Sequence, residues 1–386
     1  MGYSFYPVEY DITPSGLRYD AVVIGAGISG SVAAKILAEK GCHVLLVDRA
    51  TPPRDKACSG VQLRYMEKLI GEKIPGDVLC GNTLNRVRLT TPSSRHIEGS
   101  MGLLNYWRRD FDHWLNGLAA DAGADTRWGA EVSGLDPKDG SVTVTTDSES
   151  IDAEYVVGAD GLSPGSFTRR RLMPDNFSDK VTGASLNLYY TGSSSLRPDT
   201  LHLYYRRGLS DLMYSWLYYK DDLLVIGTSG TERLSQYAEA FLETVKKEFD
   251  LNGKEAGREG FSTHCNGGVF LGRGRVLLAG DAAGLLDLYR GVGMDAAAQS
   301  GRLAALSIVD ALEGGGDALQ RYNHRARRLV TMIMENARKQ EARYGSDEAL
   351  EDSMSLGNII KGRATMLGAQ IWNRFRRPEE MRLLPP

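Results

Sequence analysis

The sequence predicts an α/β protein: a domain built on a parallel sheet, an inserted antiparallel β-sheet domain, and a helical C-terminal region. Three observations carry that prediction. Tyr19–Asp48, YDAVVIGAGISGSVAAKILAEKGCHVLLVD, reads as strand, glycine turn, helix and strand. Between about Val181 and Ser229 the segments SLNLYY, TLHLYYRR, LMYSWLYY and LLVIGTS alternate as an antiparallel sheet with one covered face. Ala318–Ile371 is mostly helical in pattern and rich in arginine.

The opening unit is the most informative. Ala21–Ile24 reads as a buried strand, Ser29–Lys40 as a helix, and His43–Val47 as a second strand ending in Asp48. Gly25, Gly27 and Gly30 stand in G-x-G-x-x-G spacing. One glycine permits the tight turn, one lets a pyrophosphate approach the backbone, and one lets helix and strand pack closely. The helix start offers free N–H groups and a positive dipole end to phosphates. Asp48 is placed to accept hydrogen bonds from a ribose. With strand, helix and acid all in place, a Rossmann-like dinucleotide site is a better reading than a bare βαβ unit.

Further along, Thr51–Gly60 is turn-rich, and Phe111–Ala122 has the apolar spacing of an amphipathic helix. Glu131–Leu135 and Ser141–Thr145 are short strand candidates, and Ala153–Gly158 is a buried strand leading into Ala159-Asp160-Gly161. Lys220-Asp221-Asp222 supplies a turn inside the inserted sheet, and Thr231–Phe249 is helical. Val276–Gly280 returns to a buried strand, followed by Asp281 and a glycine-rich turn into a helix from about Gly293 to Leu312. The expected organisation is a discontinuous nucleotide-binding domain (18–60, 105–175 and 265–315), a substrate domain (61–104 and 176–264), and a C-terminal helical region (316–386).

Composition narrows the function classes. With 386 residues and 42% hydrophobic content the chain can build a sizeable core, and its net charge of −3 gives no basis for nucleic-acid binding. Cys42, Cys58, Cys80 and Cys265 lie far apart, which is cytoplasmic usage rather than a disulfide framework or a metal site. Six histidines form no metal-like cluster. Residues 1–18 lack the pattern of a signal peptide, and the apolar run Ala21–Ala34 stops at Lys35, well short of a membrane span. No second strand–GxGxxG–helix unit follows, so a separate NAD(P) domain is not expected.

Three more segments in register make a resemblance specific. Arg108, Phe111 and Asp112 resemble the R-x-x-F-D segment of glutathione-reductase-type FAD proteins. Ala159–Gly161 and Arg275–Ala297 resemble the DG and GD segments of the flavoprotein hydroxylase superfamily. Within it, Lys56-Ala57-Cys58-Ser59-Gly60 is similar to the K-x-C-x-G loop of the geranylgeranyl reductase family. Asp211–Tyr219, DLMYSWLYY, is similar to that family's P-x-x-Y-x-W-x-F-P substrate motif. Tyr214 and Trp216 match, Tyr218 stands for Phe, and Asp211 and Tyr219 replace the prolines. Leu288 stands where the family usually has proline, and Ser163 sits one place early.

The resemblance implies FAD, bound by Gly25, Gly27, Ser29, Gly30, Asp48, Arg49, Cys58, Ser59, Gly60, Arg108, Val132, Asp281, Gly293 and Met294. Arg108 would contact the cofactor, Asp281 the ribityl chain, and the helix from Gly293 would aim its positive end at the flavin, where reduced flavin holds negative charge. Cys58 reads as a cofactor contact and only a weak catalytic candidate, since no resolving cysteine stands nearby. At period two, Tyr214, Trp216 and Tyr218 share a strand face that could wall a long apolar substrate; ordinary core packing is the competing reading. The implied activity is FAD-dependent reduction of C=C bonds (CH–CH groups) of a geranylgeranyl-like or other large apolar substrate, in isoprenoid lipid metabolism. Electrons would arrive from transiently docked NAD(P)H, NADPH for example, or from a reduced carrier. Two rivals share the motifs: a flavin monooxygenase of an aromatic or polyketide-like substrate, and an electron-transfer flavoprotein. The arginine-rich tail would suit peripheral membrane contact, although solvated helix faces are the commoner outcome.

Overall fold

The computed structural model describes residues 19–162, 165–176, 182–263 and 268–384; the readings on residues 1–18, Ser163, Val181 and Cys265 lie outside them. The opening unit is β1 (Tyr19–Ile24), α1 (Ile28–Glu39) and β2 (Val44–Asp48), within two residues of the expected bounds. β3 (Val61–Leu63) and α2 (Tyr65–Ile70) lead to β4 (Arg86–Thr90), β5 (His96–Ser100) and β6 (Leu103–Asn105). α3 (Arg108–Asp121) precedes β7 (Asp125–Trp128), β8 (Val132–Lys138), β9 (Ser141–Thr146) and β10 (Ser150–Gly158). After α4 (Phe167–Leu172) come β11 (Gly183–Ser193), β12 (Thr200–Tyr204), β13 (Ser215–Lys220) and β14 (Leu223–Gly230). Then follow α5 (Leu234–Phe249), β15 (Asn252–Thr263), β16 (Gly272–Arg273) and β17 (Val276–Leu278). The chain closes with α6 (Met294–Gly314), α7 (Ala318–Arg343), α8 (Asp347–Ser353) and α9 (Leu356–Arg374).

The first sheet has the order β16-β17-β10-β1-β2-β7, with β9 and β8 continuing from β10. The pairs β17–β10, β10–β1, β1–β2 and β2–β7 are parallel. The apolar runs of β17, β10, β1 and β2 follow from burial on both faces, whereas edge strand β7 is polar and partly exposed. α1 is covered along most of its length because α6 crosses it closely: a Cβ on Gly301 would sit 2.1 Å from the Ser29 carbonyl oxygen.

The second sheet has the order β15-β11-β14-β13-β12-β4-β5. It departs from the expected antiparallel insertion in one respect, because β4 and β12 pair in parallel. β4 comes from the segment before α3 and reaches the sheet through a long connection rather than a hairpin, so its direction is free. One face packs on α5 through Leu188, Tyr204, Leu217, Ile226 and Phe241. The opposite face, expected to be open, carries its own buried set: Tyr189, Trp216, Tyr218 and Val225. Period two thus sends Leu217 to the helix side and its neighbours Trp216 and Tyr218 to the other. Among the described residues no helix is long and apolar enough to cross a membrane.

Candidate active site

The glycine turn follows from backbone geometry. Gly25 has φ +100°, and a Cβ there would lie 2.5 Å from the Ala159 carbonyl oxygen. A Cβ on Gly30 would lie 1.8 Å from the Gly25 carbonyl oxygen, so Gly30 is needed for helix–turn packing. Gly27 is different: a Cβ there would meet only the Arg54 guanidinium, at 3.6 Å. Its bareness leaves room above the start of α1, where no side chain caps the helix and the first-turn N–H groups stay available.

Asp48 closes this turn. One carboxylate oxygen accepts from the Ala26 N–H at 2.7 Å and the other from the Ala50 N–H at 2.8 Å. Exposed Arg49 pairs loosely with Glu131 at 4.0 Å, beside Val132 on β8. Asp48, Arg49 and Val132 therefore gather at the C-terminal end of β2, outside the main cavity.

That cavity has a volume of about 2650 Å³ and joins the glycine turn, the Lys56–Ser59 loop, the inserted sheet and the C-terminal helices. A single small-molecule site occupies roughly 300–1,000 Å³, so there is room for more than one ligand. Gly27, Ser29, Cys58, Ser59, Arg108, Asp281, Gly293 and Met294 line it, and so do Tyr214, Trp216 and Tyr218. Gly25, Gly30 and Gly60 support the walls from behind: Gly60, at φ +61°, would drive a Cβ to 1.9 Å from the Tyr106 carbonyl oxygen.

Arg108 is buried and forms two hydrogen bonds to Asp112, of 2.7 and 2.8 Å, one helical turn on. Arg54 adds a second cation to Asp112 at 3.3 Å. Burial, then the nearby Arg108 charge, lowers the Lys56 ammonium below its ordinary range, partly offset by Asp281 and Asp112. The Cys58 thiol points at the Met294 sulfur, 3.7 Å away, and the Tyr106 hydroxyl approaches the same sulfur at 3.5 Å. α6 starts at Gly293 without a side-chain cap, so its first turn also presents free N–H groups.

The inserted sheet is tied to these loops by β13 and the residue before it. The Tyr214 hydroxyl donates to the Arg290 carbonyl at 3.1 Å, and the Tyr218 hydroxyl to the Ser59 carbonyl at 2.7 Å. The Trp216 indole N–H donates to the Asn187 amide oxygen at 2.8 Å, and the ring fills the space beside Gly227, its cross-strand partner. Lys220, which the motif reading did not single out, is buried and donates to the Ser59 and Tyr106 carbonyls at 2.7 and 2.6 Å. Burial lowers its ammonium to about 8.

A second unforeseen group is Arg290, buried between Asp287 at 2.6 Å and Asp295 at 2.7 Å, with Tyr65 donating to Asp295. Burial alone would raise the Asp295 carboxyl, but the Arg290 guanidinium carries it below its ordinary value. The motif GLLDLYRGVGMD spans all three residues, yet only the fold reveals that one guanidinium is held between the two carboxylates.

The family described as "FAD binding domain" matches residues 18–188. The chain is 27% identical to a digeranylgeranylglycerophospholipid reductase of Methanosarcina acetivorans, covering 78% of each. It is 28% identical to a geranylgeranyl diphosphate reductase of Rhodobacter capsulatus, again over 78% of each. A solved geranylgeranyl bacteriochlorophyll reductase-like protein from Thermoplasma acidophilum superposes with a TM-score of 0.74 at 22% identity, covering 89% of this chain and 95% of the other. The chain contains an FAD-binding domain, and its sequence is similar to those of geranylgeranyl reductases. FAD is its cofactor.

The geometry fits that group: the space over Gly27, the two uncapped helix starts and the Asp281 carboxylate, which holds no hydrogen bond among the described residues, suit phosphates, flavin and a polyol chain. The fold alone does not choose the reaction, since the flavin-dependent halogenase CmlS superposes with a TM-score of 0.68 at 19% identity, over 87% of this chain and 67% of that one.

Proposed function

We propose that this flavoprotein reduces C=C bonds of a prenyl chain or a similarly long apolar substrate. The observation that carries the reading is the position of the aromatic face. Tyr214, Trp216 and Tyr218 line the same cavity as Cys58 and Met294, and continue into Val87, Leu89, Leu201 and Leu203. That wall is apolar and long, and the Tyr218–Ser59 hydrogen bond holds it against the loop that resembles K-x-C-x-G.

In this reading Gly25, Gly27, Ser29 and Gly30 frame the pyrophosphate, while Asp48, Arg49 and Val132 take the ribose and adenine end. Arg108 and Asp281 hold the central part, and Cys58, Ser59, Gly60, Gly293 and Met294 surround the flavin ring. Bound there in its reduced form, FAD would supply the hydride chemistry of C=C reduction, with a proton completing the second carbon. The protein's own residues position the chain, exclude water and aim the α6 start at developing negative charge. The electron donor is NAD(P)H docking transiently or a reduced carrier.

The test is anaerobic turnover of a geranylgeranyl lipid with dithionite as reductant. The expected product is heavier by two hydrogens per double bond. A product that forms only with oxygen, and carries an oxygen atom from it, would replace this reading with a monooxygenase. Flavin that passes electrons only to a protein acceptor would replace it with an electron-transfer role.

A further inference from the structure

We infer that α9 docks the protein onto an anionic lipid bilayer, with its outer face as the contact surface. Leu356, Ile360, Leu367 and Ile371 fall within about 60° of one another around the helix at 100° per residue. All four are more than half exposed, and Phe375, just past the helix end, is 81% exposed. Such a stripe is unusual for a helix facing water, whose outer side is ordinarily polar.

Two further observations point to the occupant. From Leu356 to Pro378 the chain carries Lys361, Arg363, Arg374, Arg376 and Arg377 and no acidic residue, within a protein whose net charge is −3. Apolar side chains rimmed by cations match the boundary between acyl chains and anionic headgroups. A second copy of the same helix fits less well, because a two-fold contact would bring like charges together. The inner face of α9, meanwhile, belongs to the protein. Ala369 and Asn373 are buried, and the Lys68 ammonium donates to the Asn373 carbonyl at 2.6 Å. Ile359, Gly362 and Met366 on that side line the same cavity that reaches Trp216 and Cys58. Leu367 of the stripe lines that cavity too, so the proposed bilayer contact borders it directly, a short route for a lipid chain. The stripe, its charges and the vesicle test stand independently of which bond the flavin reduces.

The experiment is co-sedimentation of the FAD-loaded full chain with vesicles of phosphatidylglycerol or of phosphatidylcholine, without substrate. The wild type is expected to partition onto phosphatidylglycerol at least tenfold more strongly, with the preference falling as salt rises. The double variant Ile360→Asp/Ile371→Asp should lose at least tenfold in binding while keeping its flavin spectrum. Arg374→Glu/Arg377→Glu, which leaves the stripe intact, should lose the headgroup preference. Wild-type protein that stays in the supernatant with both vesicles overturns the proposal. So does a wild type that sediments as a dimer while Ile360→Asp/Ile371→Asp is monomeric and neither binds lipid, since a second copy then covers the stripe.

Discussion

The hydroxyl of Tyr218 donates to the carbonyl of Ser59 at 2.7 Å, joining β13 to the loop that runs from Lys56 to Gly60. Lys220, two residues on and on the same strand face, donates to that same carbonyl. One backbone oxygen thus receives two buried donors, so the position of the loop relative to the aromatic wall is fixed by the sheet.

Removing one donor should be tolerated and removing both should not. Tyr218→Phe deletes one hydrogen bond and should cost about 1 kcal/mol, because Lys220 still satisfies the oxygen. Adding Lys220→Met leaves buried carbonyls unpaired, and the pair of changes should cost more than the sum of the singles. Thermal unfolding of the four-member cycle measures this. Strict additivity would mean that the shared oxygen does not couple the two residues.

Gly27 and Gly30 should fail differently. Gly27→Val has room in the fold and should yield a stable but colourless protein, because the side chain occupies phosphate space. Gly30→Val forces a Cβ into the Gly25 backbone and should destabilise the fold with or without FAD. Flavin absorbance and circular dichroism distinguish the two outcomes.

Trp216→Ala should lower turnover of a large apolar substrate while flavin absorbance persists. It should also lower stability by about 3–5 kcal/mol, since the indole is nearly buried and hydrogen-bonded. Gly227→Ala gives a sharper test: its Cβ would fall 1.9 Å from the indole nitrogen and push the ring into the cavity. Turnover that survives in both variants would leave the indole as core packing only.

Acid stability should depend on His202. It is buried on β12 with its ring edge-on to Phe249, 5.2 Å between centroids, and burial lowers its imidazole to about 4, helped by Arg88 and His96. The unfolded chain takes up this proton near pH 6.5 and the folded one only near 4, so stability is present above 6.5 and lost as pH falls between those values. The span corresponds to about 3 kcal/mol. His202→Phe should flatten that part of the unfolding-against-pH curve, and an unchanged slope would rule out the imidazole as its source.

What could be read in the sequence was what is local or periodic. The glycine spacing, the apolar runs of β1, β2 and β10, and the period-two strands of the insertion each constrain their own backbone, so their elements appear within a few residues of expectation. The motifs also brought forward the residues of Gly27, Cys58, Arg108, Asp281 and Trp216, all of which line one cavity. The tertiary structure decided what depends on distant partners. The parallel pairing of β4 with β12 joins segments more than a hundred residues apart, and no periodicity encodes such a choice. Lys220, Arg290 and the α9 stripe look like ordinary charged or apolar side chains in a line of letters. Their roles follow from what packs against them: two carbonyls around an ammonium, two carboxylates around a guanidinium, and solvent along an apolar helix face. Burial and electrostatic compensation are properties of the assembled surroundings, and those exist only once the chain has folded.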